Sequence, residues 1–263
     1  MNSLHRIVSY LRHKLKAKGT HGIHSPFVFN LLTHVLPPSG KYYCFDAIEE
    51  IRETLLRVET TVEVSDLGAG ASARNKSQRK ISSIANVALK PNWQAQFLFR
   101  LAYHFKPKHT LELGTSLGLT TAYLASANRS GEVFTIEGSP KIQQLALKHF
   151  GQLEIFNINS RCGSFSDVLP GLLNEMKEVD FIFMDGNHRC EPTLNYLKAI
   201  LPFCSNAAVI VVDDIYWSKE MTEAWKKIIA LERVQLSLDF YYMGVVFIEP
   251  RLQKEHFCLR WPG

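Results

Sequence analysis

Leu111-Glu112-Leu113-Gly114-Thr115-Ser116-Leu117-Gly118-Leu119-Thr120 is the stretch that decides the fold. A short apolar run meets an acid and then turns through Gly-x-x-x-Gly. Thr121-Ala122-Tyr123-Leu124-Ala125 continues as a helix. Glycine lets the chain turn tightly and lets backbone N–H groups approach a ligand, at the positive end of the helix that follows. Further on, Val133-Phe134-Thr135-Ile136 is a second apolar run that ends in Glu137. A carboxylate at the tip of a second strand is where an α/β sheet grips the two hydroxyls of a ribose. Together the two segments read as a nucleoside-binding site.

Working outward, strands are expected at about 110–113, 133–137, 154–158, 180–184 and 207–212, with helices at about 118–127, 139–149, 165–176 and 191–201. Such alternation specifies an α/β fold, a parallel sheet with helices on both faces. The end departs from it. Trp217–Leu231 reads as a helix, and Val234–Leu238 and Gly244–Ile248 are strands too close together for a crossover, so they pair antiparallel. The expectation is a mostly parallel sheet of seven strands with an antiparallel strand near its C-terminal edge.

The N-terminal part is helical. Leu4, Ile7, Val8, Leu11 and Leu15 recur at helical spacing with basic residues between them. Pro26 starts a second helix to Val35, and a third covers about Phe45 to Val58. Helices resume at Ile81–Leu89 and Trp93–Phe105, which suggests a helical segment over 1–92 before an α/β domain over 93–263. Ser65-Asp66-Leu67-Gly68-Ala69-Gly70 imitates a nucleotide turn, but Val62 and Val64 make a poor strand before it and no apolar helix follows. The stretch is read as a decoy, or as a loop presenting Arg74, Lys76, Arg79 and Lys80 to an anionic group.

The net charge of +5 is uneven: Arg6, Arg12, Lys14, Lys16 and Lys18 fall in the first twenty residues with no acid among them. A solvated helix face is the plainer reading, and an anionic membrane surface or polyanionic partner the other. No nucleic acid is expected as a partner. The five scattered cysteines, without a C-x-x-C, suggest reduced thiols in a cytoplasmic protein. No apolar run reaches transmembrane length, so stable membrane insertion is not expected.

Five blocks in order, Glu112–Thr120, Thr135–Glu137, Cys162–Ser164, Phe181–His188 and Val209–Asp214, resemble the class I S-adenosylmethionine-dependent methyltransferases with their Rossmann-like fold. Among these they look like the O-methyltransferases of the catechol and caffeoyl-CoA type. The resemblance implies that Gly114, Thr115, Ser116 and Gly118 wrap the methionine part of S-adenosylmethionine. Glu112 would hold that loop or approach the amino group, and Thr120 would meet the carboxylate. Glu137 would hold the ribose, Gly163 and Ser164 would border the adenine, and Asp185 would stand beside the transferable methyl.

In metal-dependent members an acid after strand four and an Asp-Asn pair after strand five bind a divalent cation. Here the set is Asp185, Asp213 and Asp214, which keeps oxygen ligands suited to a hard ion such as Mg²⁺. His188 stands where those enzymes carry a catalytic lysine, and imidazole can serve as the base. The implied activity is methyl transfer to a hydroxyl of a small-molecule acceptor. The N-terminal helices would shape the acceptor pocket or build a homodimer. A metal-independent enzyme, such as an N-methyltransferase, is the alternative. An NAD-dependent oxidoreductase fits less well, because the spacing is not Gly-x-Gly-x-x-Gly.

Blander readings exist for several of these residues. Asp185 could cap a turn, Asp213-Asp214 could cap the helix containing Trp217, and His188 could be a turn residue. His21-Gly22-Ile23-His24 reads as a loop with local hydrogen bonds rather than a metal pair, and Tyr241 and Tyr242 as strand residues rather than a substrate cage.

Overall fold

The computed structural model describes residues 2–38, 40–65 and 76–262. The glycine turn at 66–70 and Arg74 lie outside them. The chain forms two compact units, one of residues 1–37 with 177–263 and the other of 38–176. The first begins with α1 (Asn2–Lys16) and α2 (Pro26–Asn30), whose last residue leads into a π-helical turn at Leu31–Val35. The second unit holds α3 (Phe45–Leu55), β1 (Thr61–Ser65), β2 (Lys76–Lys80), α4 (Ile81–Ala88), α5 (Asn92–Phe105) and β3 (His109–Leu113). It continues through α6 (Leu119–Ala127), β4 (Glu132–Glu137), α7 (Pro140–Gln152), β5 (Ile158–Cys162) and α8 (Phe165–Met176). The chain returns to the first unit with β6 (Val179–Met184), α9 (Cys190–Ile200), β7 (Cys204–Asp213) and α10 (Lys219–Ala230). β8 (Leu236–Asp239), β9 (Met243–Phe247) and β10 (Glu255–Cys258) complete it.

In the second unit β3, β4 and β5 run parallel in that order, each reached by a helical crossover. Leu111, Leu113, Phe134 and Ile136 are buried between those helices, as a parallel strand covered on both faces requires. The sequence places the third strand at 154–158, but the structure moves it to β5. The apolar pair Ile155-Phe156 suggested a strand. Instead α7 runs on into a turn, with Leu153 N–H donating to His149 O (3.0 Å), Ile155 N–H to Phe150 O (3.0 Å), and Glu154 at φ 51°. Asn157 then closes the turn through its amide, which donates to Gly131 O at 2.8 Å and Ala125 O at 3.1 Å. Likewise 61–65, read as a poor strand, pairs antiparallel with 76–80 in a separate two-stranded sheet, Ser65 opposite Lys76.

In the first unit the order is β10-β8-β9-β7-β6. β6 and β7 are parallel, and β9 runs antiparallel to both β7 and β8, which is the expected C-terminal hairpin. β10 adds an eighth strand to the seven expected, parallel to β8. Gly244 in β9 gives way to an aromatic ring: a Cβ there would stand 2.4 Å from the Trp225 indole.

Candidate functional site

The second unit carries the glycine turn and Glu137. β3 ends by burying Glu112 completely. Its Oε2 accepts hydrogen bonds from Thr121 Oγ1 (2.5 Å) and Thr135 Oγ1 (2.7 Å), and Thr115 Oγ1 lies 2.6 Å from Thr135 Oγ1. A hydroxyl has one proton to give. Thr135 gives its own to Glu112, so Thr115 must donate to Thr135. The carboxylate thus ties the turn to β4 and α6 from inside. Of its two proposed roles, this geometry serves the holding of the loop. Thr121 and Thr135, which the sequence reading passed over, are its partners. Two hydroxyls in otherwise apolar, buried runs were the available signal, because a buried hydroxyl needs an acceptor.

The turn is shaped by the protein itself. Gly114, Ser116 and Gly118 have φ of 108°, 48° and 84°. Gly114 N–H (3.1 Å) and Thr115 N–H (3.2 Å) both donate to Ile136 O, and Gly118 N–H donates to Thr115 O at 2.9 Å. Gly118 is needed twice over, because a Cβ there would also stand 2.7 Å from the Phe150 ring. These bonds fix the turn from within, and its glycines leave the backbone uncovered for close approach.

Glu137 closes this half. Its Oε2 accepts from Ser116 N–H at 2.8 Å and its Oε1 from Ser139 N–H at 2.9 Å. Burial pushes its carboxyl above the usual range, opposed by the N–H groups of Ser139, Ser116 and Gly138. Two carboxylate oxygens offer about four acceptor positions, more than these N–H groups use, which leaves capacity to receive a hydroxyl. Gly163 follows β5 at φ 147°, and its N–H donates to Glu137 O at 2.9 Å. Ser164 is committed to helix capping: Asp167 N–H donates to its Oγ at 3.2 Å, and its hydroxyl donates to Asp167 Oδ2 at 2.6 Å. Thr120 is half-buried at the start of α6. So the ends of β3, β4 and β5 bring the turn, Glu137 and Gly163 together.

The first unit carries the acids. His188 lies between two of them, with Nε2 3.6 Å from Asp185 Oδ1 and Nδ1 4.0 Å from Asp214 Oδ2. Asp213 is buried at the end of β7, opposite Met243 of β9. Asp214 turns the chain at φ 52°, its N–H donating to Tyr242 O at 2.8 Å and its carbonyl accepting from Trp217 N–H at 2.8 Å. Neither acid caps the next helix; Ser218 does, its Oγ accepting from Met221 N–H at 3.1 Å. The Trp217 ring stands 6.4 Å from His188 and is covered by the Arg6 guanidinium at 4.5 Å, neighbours that the linear sequence does not suggest.

Two further expectations meet the structure here. Tyr241 and Tyr242 are not strand residues. They form the turn between β8 and β9, where Asp239 Oδ1 accepts Tyr241 N–H at 2.9 Å and Tyr241 adopts φ 71°. His21 belongs to a short 3-10 turn closed by Gly22 N–H to Gly19 O at 3.1 Å, a local arrangement. Among the described residues, the group whose three metal-capable atoms lie within 4.8 Å of one another is His13, Asp239 and Cys258, not the acids after β6 and β7. It already holds an ion pair. His13 Nε2 lies 3.3 Å from Asp239 Oδ1, and Tyr216 donates to Asp239 Oδ2 at 2.7 Å. Burial by itself would lower the His13 pKa, but bonding to Asp239 and Cys258 raises it to about 10.

Residues 111–215 match the family model described as a methyltransferase domain. A catechol O-methyltransferase of Niastella koreensis is 31% identical over 132 residues, 49% of this chain and 58% of that protein. One of Mycobacterium tuberculosis is 30% identical over 124 residues, 46% of this chain and 54% of that protein. The chain thus spans little more than half the length of these curated relatives. In structure it is similar to the S-adenosylhomocysteine-bound methyltransferase PaMTH1 of Podospora anserina, at TM-score 0.60 and 17% identity, covering 85% of this chain and 96% of that one. An O-methyltransferase of Bacillus cereus in complex with S-adenosylhomocysteine gives TM-score 0.57 at 18% identity, covering 84% and 96%. The fold is that of these methyltransferases.

Proposed function

Starting from a methyltransferase domain at residues 111–215 in a chain of methyltransferase fold, we propose that this protein transfers a methyl group from S-adenosylmethionine to a hydroxyl of a small molecule. The observation that carries the reading is the fork of Glu137, pinned by Ser116 N–H and Ser139 N–H at the end of β4 beside the glycine turn. That is the arrangement a ribose asks for. The relatives named as catechol O-methyltransferases support oxygen as the accepting atom and a small hydroxylated acceptor.

S-adenosylmethionine, when bound, supplies a methyl carbon made electrophilic by its sulfonium. The chain's own residues supply the rest. Glu137 would accept the ribose hydroxyls, and the turn from Gly114 to Gly118 would follow the methionine portion, with Thr120 at its carboxylate. Gly163 would border the adenine through its backbone. His188 would take the acceptor's proton at Nδ1, while Asp185, 3.6 Å from Nε2, holds the ring as it charges. Alignment of the acceptor oxygen with the methyl and the sulfur is worth on the order of 7–11 kcal/mol in such reactions. In the metal-assisted form, Asp185, Asp213 and Asp214 would offer a divalent cation oxygen ligands. It would lower the acceptor hydroxyl's pKa.

One observation favours the second reading, a metal-independent transferase: His188 already stands between Asp185 and Asp214, where its imidazole can act on the proton alone. Calorimetric titration should show binding of S-adenosylhomocysteine and none of NADH; the reverse result would remove the methyltransferase reading. With a catechol as acceptor, EDTA should abolish turnover and Mg²⁺ should restore it. Equal rates with and without chelator would establish the metal-independent form.

A further inference from the structure

The first helix is packed with its faces reversed. Leu4, Ile7, Val8, Leu11 and Leu15 form one stripe at helical spacing. That stripe faces outward: Leu4 is 70% exposed, Ile7 58%, Leu11 55% and Leu15 88%. The face turned inward is the polar one. Ser9 and His13 are buried, His5 Nε2 lies 3.0 Å from Thr222 Oγ1 of α10, and His13 is held by Asp239. Tyr241 OH donates to Arg6 O at 2.8 Å and Tyr10 packs edge-on against Tyr241 at 5.1 Å. These contacts fix the helix's rotation, so the apolar stripe is its presented surface and not a frayed end.

What flanks the stripe identifies what it meets. Lys14 borders it on one side and Arg12 and Lys16 on the other, all exposed, with Lys18 just beyond the helix. No acid occurs in the first twenty residues. On the Lys14 side a cavity of about 480 Å³ is lined by Tyr10, Tyr242, Trp261 and Arg260, among others. An exposed apolar stripe flanked by cations, edged by phenols and an indole, is the pattern of a helix lying in the headgroup layer of a bilayer. The side chains enter the acyl boundary, the cations meet anionic headgroups, and the aromatic rings sit at the interface. An acidic protein surface or a second copy of this helix matches less well. Two copies would oppose like charges along both edges of the stripe.

We propose that α1 docks this protein peripherally on an anionic lipid surface. No helix among the described residues is long and apolar enough to cross a membrane, and the docking proposed here needs none. Leu4, Ile7, Leu11 and Leu15 supply the apolar contact, and Arg12, Lys14, Lys16 and Lys18 select for negative charge.

The test is flotation of the full chain with mixed phosphatidylglycerol–phosphatidylcholine vesicles and with pure phosphatidylcholine vesicles. Binding to the anionic vesicles should be about tenfold stronger or more, and should fall away in about 0.5 M salt as the charges are screened. Leu11→Glu should bring binding down to the level of the neutral vesicles. The pair Arg12→Glu with Lys16→Glu, which leaves the stripe intact, should do the same. Absent or equal binding to the two vesicle types overturns the proposal. So does a dimer of the wild-type chain in sedimentation that Leu11→Glu dissociates, because the stripe would then be covered by a second copy.

Discussion

Two histidine–aspartate pairs among the described residues of the first unit, His13–Asp239 and His188–Asp185, differ in burial, and the function proposed above gives them different work. His13 and Asp239 are shut in, with side chains 6% and 3% exposed, and Asp239 receives bonds from His13, Tyr216 and the Tyr241 backbone. His188 and Asp185 are 33% and 16% exposed, 3.6 Å apart, with Asp214 on the ring's other side at 4.0 Å. The closed pair joins α1 to the end of β8. The second pair is the more exposed of the two. Burial, not the identity of the two residues, separates the work proposed for them.

The sharpest way to break this comparison is to remove one acid from each pair. Asp239→Ala removes the carboxylate that pairs with the buried His13 and accepts from the Tyr216 hydroxyl, leaving His13 the backbone carbonyl of residue 239. It should cost about 3–5 kcal/mol in urea unfolding, whereas Asp185→Ala should cost about 1 kcal/mol or less at its more open position. Comparable losses would show that the second pair is also a strut. Next in size, His188→Ala should lower turnover about 100-fold or more while S-adenosylhomocysteine binds as before; wild-type turnover would remove His188 from the chemistry. Glu137→Ala should weaken cofactor binding by about tenfold to a hundredfold, the loss of charged hydrogen bonds to two hydroxyls, with the far-ultraviolet circular dichroism unchanged. Unaltered affinity would count against the ribose role.

A further effect is graded by pH. The folded pKa of His13, about 10, exceeds its ordinary value of 6.5. Protonation therefore favours the folded state. The stabilisation is complete below pH 6.5 and fades as pH climbs toward 10. Urea midpoints should fall across that window in the wild type and stay flatter in His13→Gln. A parallel decline in both would assign the loss to other groups.

Much of the fold was legible because it rests on local patterns. The strand–helix alternation from Thr110 to Asp213 follows from side-chain periodicity, and helix 165–176 falls where the sequence places it. The displaced third strand shows the limit of such patterns. Ile155 looked like strand, but a left-handed residue at Glu154 and the amide of Asn157 spent that segment on a turn. The residues around Glu137 and the glycine turn were legible for the same reason as the strands, since each ends an apolar run. Their partners were not, because Thr121 and Thr135 reach Glu112 only when β3, β4 and α6 pack together. The edge strand β10 was invisible as well. Glu255, His256, Phe257 and Cys258 have no apolar alternation, and the strand exists through pairing with β8.

By itself the sequence determined the strand–helix alternation from Thr110 to Asp213, the turn at Gly114–Gly118 and the acid that ends the second strand, all of which depend on residues close together along the chain. It also determined that α1 has an apolar side and a polar side. Only the tertiary structure decided which of them faces inward. Asp239 and Thr222 take up the polar face through His13 and His5. Hydrogen-bonding groups that distant in sequence meet only after the chain has folded, and a periodicity does not say where its partners will be.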